Sequence, residues 1–396
     1  GNDNILDSDG DPDYYPYQTL YGLGYKNGSE AGAYFTVIAN PSLKWETQIS
    51  TDIALEFGLF DRLTGTIEYF KKDSKDLLFD VSQPASVGVT SIIQNIGKVT
   101  NSGVEIELDY NAFKNKDWSV SVGANATFVK NKIKNLPATM KENGYISGSK
   151  KWLEGKSIYE FWLRQWHGVD PQTGDGLYVA DVSKYNQGNI GTGDGNITQS
   201  QFDEYKKTVV TIDGKELTNS YTYAKYDFSG SSIPDVYGGF NVRVSYKNFE
   251  LAAVFSYQLG GQILDTNYAT MMSMTEFGYA QSPDLLKAWK QAGDITEVPR
   301  IDNSAAHTTN IGQSYSTRWL TSSDYLNLRS VTIGYQLPKT WLSKVMLKSA
   351  RLNLTAENLF MLKARQGLNP MANYSGVTYN EYMPSRNITL GLNVSF

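Results

Sequence analysis

Trp152, Tyr159, Trp162, Trp166 and Tyr178 stand with Asp170 and Asp175 in and around the run HGVDPQTGDGLY. This is the densest gathering of residue types that could grip a ligand. Aromatic planes stack on the apolar faces of sugars or peptides, while carboxylates and amides fix orientation. The competing reading is plain packing or an interfacial girdle. It weighs most on Trp162 and Trp166, which sit in a strand-like run. Acidic residues gather in two other places: Asp3, Asp7, Asp9, Asp11 and Asp13 near the start, and Asp194 within GNIGTGDGNITQSQFDEY. A calcium loop of the EF-hand kind needs oxygen ligands at set positions around a turn glycine, closed by a glutamate. Aligned on Gly195, the first, third and closing positions become Ile190, Thr192 and Gln201. Solvated turns explain both stretches better. Calcium at Asp7, Asp9, Asp11 and Asp194 is retained as a candidate, and no other cofactor is expected.

Other chemistry is excluded by supply. The 396 residues include no cysteine and only two histidines, His167 and His307. Thiol catalysis, thiolate metal sites and multi-histidine sites within the chain are therefore ruled out. No phosphate-binding glycine loop or nucleophile elbow appears, and Gly238-Gly239 opens a strand rather than a helix. With 36 basic and 41 acidic side chains the formal charge is −5, so no nucleic-acid partner is expected. Transport or binding fits better than catalysis, and no enzyme activity is expected.

The elements that must hold these residues are strands. From Leu43, apolar side chains fall on Leu43, Trp45, Ile49, Ile53, Leu55, Phe57 and Leu59, against Lys44, Glu46, Gln48, Ser50, Asp52 and Glu56. Period two held this long exceeds an ordinary globular strand. About ten strands are expected, near 43–59, 62–79, 101–113, 117–134, 157–170, 238–247, 249–262, 318–335, 350–361 and 386–396. Tight turns at 61–62, 115–117 and 247–248 alternate with long connections near 80–100, 135–156, 171–237 and 263–317. Short turns on one rim and long loops on the other belong to outer-membrane barrels, whose strands alternate and never make a long apolar run. The alternatives are a soluble antiparallel sheet with one buried face and a secreted carbohydrate-binding β-protein. The polar opening GNDNILDSDGDPD has no signal-peptide pattern, so either a leader was removed or the chain begins partway through a larger protein.

Several motifs together resemble the SusC/RagA family of TonB-dependent outer-membrane transporters. Asn40, Pro41, Leu43, Trp45 and Glu46 precede the first long strand, and Lys75, Asp76, Leu77 and Leu78 follow the second. Asn95, Gly97, Asn101, Gly103 and Glu105 match further on, as do Asp170, Pro171, Thr173, Gly174 and Tyr178. Gly238, Gly239, Phe240, Tyr325, Leu328, Gly334, Tyr335, Pro338, Asn358, Leu359 and Phe360 continue the match. The resemblance implies an all-β fold: the C-terminal portion of a membrane-spanning antiparallel β-barrel, about ten strands of about 22. Residues 1–42 would be an extracellular loop and lead-in strand region and 43–396 barrel, with no N-terminal plug in this chain. It also implies TonB acting through that missing region, a SusD-like lipoprotein lid, outer-membrane lipid around the wall, and another chain or segment completing the barrel. The implied activity is import of an oligosaccharide or peptide, with a passive porin-like channel as the alternative. Phe396, ending an amphipathic last strand, resembles a barrel-assembly signal.

Overall fold

Strict alternation fixes one decision per strand: which face its apolar side chains share. The computed structural model describes residues 18–82, 89, 91–193, 195–274, 278, 280–312, 315–342 and 347–396. Along the chain come a hairpin of β1 (Leu20–Asn27) and β2 (Glu30–Val37), then four long strands. These are β3 (Thr47–Leu59), β4 (Leu63–Ser82), β5 (Ser91–Lys114) and β6 (Trp118–Asn135). A loop region follows with β7 (Tyr145–Ser147), β8 (Lys150–Trp152), β9 (Glu160–Arg164), β10 (Trp166–Val169) and β11 (Gly176–Val179). It continues through α1 (Gln199–Thr208), β12 (Val209–Ile212), β13 (Lys215–Thr218) and β14 (Tyr226–Ser231). Strands β15 (Val236–Tyr246) and β16 (Phe249–Leu259) form the next hairpin. A second loop region holds β17 (Gln262–Leu264), α2 (Thr266–Met271), α3 (Ala305–Ile311) and β18 (Leu320–Ser322). Last come β19 (Tyr325–Gln336), α4 (Lys339–Leu342), β20 (Ser349–Lys363) and β21 (Asn387–Ser395).

Nine strands make one antiparallel sheet in the order β21-β20-β19-β16-β15-β6-β5-β4-β3. The register aligns their apolar faces row by row. One row runs Phe57, Gly65, Leu108, Ala124, Phe240, Phe255, Leu328 and Phe360. Near the short-turn rim another runs Trp118, Tyr246, Phe249 and Tyr335, with ring centroids 4.3 Å apart for the first pair and 4.5 Å for the last. Aromatic rows at one rim of an apolar wall are what a membrane interface selects. The opposite face carries Glu56, Glu68, Glu105, Glu107, Asn125, Asn241 and Arg351. Glycine is needed where a neighbouring ring lies flat on that face: a Cβ on Gly103 would meet the Phe70 ring at 2.6 Å.

Burial decides between wall and soluble sheet. On the apolar face Leu390 is 69% exposed and Ile53 65% exposed, whereas the fully buried Phe161, Leu163, Leu264 and Trp319 all lie in the loop regions. A water-soluble sheet would bury its apolar face and leave its loops wet. This chain does the reverse.

Strand length agrees. β4 has 20 residues and β5 has 24, against the roughly 10 that cross a bilayer. They therefore stand well above the apolar band, and they continue into the stretch read from sequence as a loop near 80–100. Asp76, at φ 56°, marks a bulge where the register of β4 against β5 slips.

One expected strand is corrected. The segment 157–170 is not a wall strand; it divides into β9 and β10, which join two separate four-stranded sheets above the wall. Its alternation reflects a two-sided loop sheet, which has the same local period. Among the described residues the count is therefore nine, and it changes the closure argument. In an antiparallel series of nine, β3 and β21 run in the same direction. Pairing them directly would be parallel, so an all-antiparallel barrel needs an odd number of further strands. An open edge cannot stand in lipid. In the lead-in strand region Asn27-Gly28 turns β1 into β2.

Candidate ligand site in the loop layer

The loops between β6 and β15 and between β16 and β19 fold together into a layer with its own core. Phe161 and Leu163 of β9 pack with Leu264, Ala269, Met272, Trp319 and Val377. A half-buried ion pair anchors this core: the Arg365 guanidinium lies 3.0 Å from the buried Asp265, and stacks on the Tyr268 ring at 3.4 Å. Asp265 also caps α2 by accepting from the Tyr268 amide. Nearby, the Lys150 amine donates to the Tyr159 carbonyl and to Ser232 Oγ, and it sits over the Phe161 ring. Burial brings its pKa down to about 7, opposed by Glu160.

With Phe161 and Leu163 turned into the core, the other face of β9 presents Glu160, Trp162 and Arg164 half-exposed. β14 pairs alongside, setting Phe228 opposite Trp162 and Tyr226 opposite Arg164. Trp162 stacks with Tyr226 (6.2 Å, 13°) and meets Phe228 edge-on at 4.9 Å. The Lys151 amine lies 4.1 Å over Trp162, and Arg164 lies 4.7 Å over Tyr226 and 4.9 Å over Tyr221. The result is an open aromatic face edged with cations, held flat by sheet pairing. Such a face stacks planar or apolar ligand groups and attracts anionic ones.

The other sequence candidates fall elsewhere. Trp152 packs on Phe79 and Tyr145 in a separate cluster under Ile133, Leu136 and Met140. Tyr159 meets Tyr374 edge-on. Trp166 and Tyr178 contact each other at 5.1 Å. Tyr178 is fully buried; its hydroxyl donates to the Asn310 carbonyl at 2.6 Å, and burial pushes its pKa up to about 12. Asp170 accepts from the Gln172 amide and the Thr173 hydroxyl, so its oxygens are spent inside the turn. Gly174 in that turn has φ 74° and lies against the Trp289 ring, where a side chain would not fit. Tyr178 and Asp170 are thus framework, not ligand contacts.

Asp175 enters a second feature that the sequence did not announce. Its carboxylate lies 3.1 Å from Arg300 and 3.9 Å from His307, beside Asn219. These line a polar cavity of about 140 Å³ with Ser304 and Asn310. Arg164, Arg300 and His307 were missed because their partners are remote in sequence, and only Tyr and Trp density was visible locally. Among the described residues, no three His, Cys, Asp or Glu side chains gather as metal ligands. The calcium candidates Asp7, Asp9, Asp11 and Asp194 lie outside the described residues.

A family model described as TonB dependent receptor-like, beta-barrel matches residues 10–189. TonB-dependent receptor P3 of Formosa agariphila is 29% identical over 411 residues, covering 98% of this chain and 38% of the relative. TonB-dependent receptor SusC of Bacteroides thetaiotaomicron is 24% identical, covering 90% of this chain and 32% of the relative. Among solved structures, the RagAB peptide importer in its closed-closed state superposes with a TM-score of 0.74 at 25% identity, covering 98% of this chain and 39% of that one. The chain matches, as a partial barrel, the TonB-dependent outer-membrane transporters of the SusC/RagA type. It spans less than two fifths of the length of the relatives it matches. In barrels of that type the rim of short turns faces the periplasm and the loop layer faces outward. The aromatic face of β9 and β14 lies in this chain's loop layer.

Proposed function

We propose that this chain supplies part of the wall, the lumen lining and the outer loop layer of an active importer for an oligosaccharide or a peptide. Support comes above all from the open aromatic and cationic face around Trp162, Arg164 and Tyr226. It sits above the wall, among loops whose own core makes them rigid. In this reading, residues 1–42 lead into the barrel from its outer side and 43–396 are barrel with its long loops. The remaining strands pair with the free edges of β3 and β21. A SusD-like lipoprotein closes over the loop layer, and TonB acts through an N-terminal plug outside this chain. Trp152 and Tyr159 flank the ligand path, and Phe396 serves as the assembly signal. RagAB, the relative of similar fold, is a peptide importer, and the cations edging the aromatic face suit a peptide carrying carboxylates.

Trp162→Ala with Arg164→Met removes one stacking plane and one cation from a face that does not carry the core. Loss of one such stacking contact is worth about 1 kcal/mol and a cation–π contact about as much. Uptake of a labelled nutrient by cells should fall on the order of tenfold, with the receptor still present and heat-modifiable in the outer membrane. Unchanged uptake would contradict the site. Uptake that persists after the proton-motive force is collapsed would favour the porin-like channel instead.

A further inference from the structure

The outward face of β4, β5 and β6 changes character just above its apolar band. Up to the row of Tyr69, Val104 and Phe128 the face is apolar. The next rows carry Lys71, Ser102 and Lys130, then Asp73, Thr100 and Lys132, and the pair Lys75 and Lys98. Lys134 continues the alternation of β6 and is exposed. Six lysines thus face outward against one aspartate, Asp73, which holds Lys71 at 3.1 Å and Lys98 at 3.9 Å. Among the described residues no carboxylate pairs with Lys130, Lys132 or Lys134. The lumen face of the same strands carries Glu68, Glu105, Glu107 and Asp109 in its lower rows, and Lys72, Asn101 and Asn131 at the height of the lysines. The height also matters, because these lysines stand on the loop side of the band, at the outer leaflet's headgroups. A groove of about 800 Å³ crosses this boundary. Tyr69, Val104 and Phe128 form its apolar floor, Lys130 and Lys132 edge it, and Ser231, Asp235 and Ser157 stand along its upper side.

We infer that this groove and its lysines hold a phosphorylated glycolipid of the outer leaflet, with acyl chains on the apolar floor and sugar phosphates on the lysines. The lysines complement phosphate, Ser231 suits sugar hydroxyls while Ser157 is committed to Asn131 and the Tyr159 amide, and the floor joins the lipid-facing wall without a break. The inference rests on the outer-membrane barrel reading and goes beyond import. The test is native mass spectrometry of the full-length receptor containing this chain, extracted in detergent. Bis-phosphorylated lipid A, the same lipid without its phosphates, and phosphatidylglycerol are added in turn. The wild type should retain bis-phosphorylated lipid A at least on the order of tenfold better than either other lipid. The triple variant K130Q/K132Q/K134Q should lose that preference, and K130R/K132R/K134R should keep it. Equal retention of all three lipids, or a Gln variant that binds like the wild type, would overturn the inference. If the Gln variant loses its heat-modifiable mobility, the wild-type comparison of phosphorylated and dephosphorylated lipid decides alone. A wild type lacking that mobility would refute the barrel itself, which separates the two failures.

Discussion

Leu108→Arg should abolish most of the folded receptor in the outer membrane, whereas Thr66→Arg should leave it near the wild-type level. Leu108 and Thr66 lie on neighbouring strands of the same wall, β5 and β4, and differ in the face they occupy. Leu108 shares its outward row with Phe57, Ala124 and Phe240, midway between the aromatic rim at Trp118 and the upper ring at Phe128. Arginine near the midplane of a barrel's lipid face costs about 2–4 kcal/mol. That cost falls on a marginal fold that must also insert. Thr66 faces the lumen among Glu56, Glu68 and Glu107, where a guanidinium finds carboxylates and water. Heat-modifiable mobility of receptor in isolated outer membranes reads both. Equal tolerance of the two substitutions would mean that the apolar face does not meet lipid.

Asp265→Ala should loosen the loop layer while sparing the wall. The Asp265 side chain is nearly buried, and it caps α2, accepts from Thr378 and pairs with Arg365. Truncation leaves the Arg365 guanidinium without its counter-charge, at a cost below the about 3–5 kcal/mol of a fully buried pair, because Arg365 is 30% exposed. Hydrogen exchange should accelerate in α2 and in the segment around Val377, and uptake should fall with it. The amides of β4 to β6 should exchange as before, since their ladders do not pass through this core. Acceleration spread evenly over wall and loops would show that the layer does not fold as its own unit.

The wall was legible in the sequence because every row must put apolar atoms toward lipid, and that requirement prints period two on each strand. It holds from Ile49 to Leu59, from Trp118 to Phe128 and from Ile388 to Val394 without outside information. The same rule misled at 157–170. There Phe161 and Leu163 alternate with Trp162 and Arg164 because a short sheet has a core below and a ligand face above. Period alone does not tell lipid from core. The loop layer stayed hidden for a different reason. Trp319 packs with Phe161, and Arg365 pairs with Asp265 a hundred positions away. No local pattern announces such contacts. Aromatic density did point to Trp162, yet it also drew in Tyr178, whose ring and hydroxyl are wholly internal. The outward lysines needed the strand register before Lys71, Lys130 and Lys132 could be seen as neighbours.

The central claim is that one face of this sheet meets lipid and the other meets water; these 396 residues hold no cysteine, so with any cysteine elsewhere in the receptor changed to serine the claim is measurable. Single cysteines placed from Ser119 to Phe128 of β6 in the full-length receptor can each carry a spin label. Oxygen, which partitions into lipid, and a water-soluble nickel chelate then report the surroundings of each label by power saturation. Oxygen accessibility should peak at Val120, Val122, Ala124, Ala126 and Phe128. The nickel chelate should peak at Ser119, Ser121, Asn125 and Thr127, in opposite phase. Two curves rising and falling together, or oxygen peaks on the odd positions, would contradict the account.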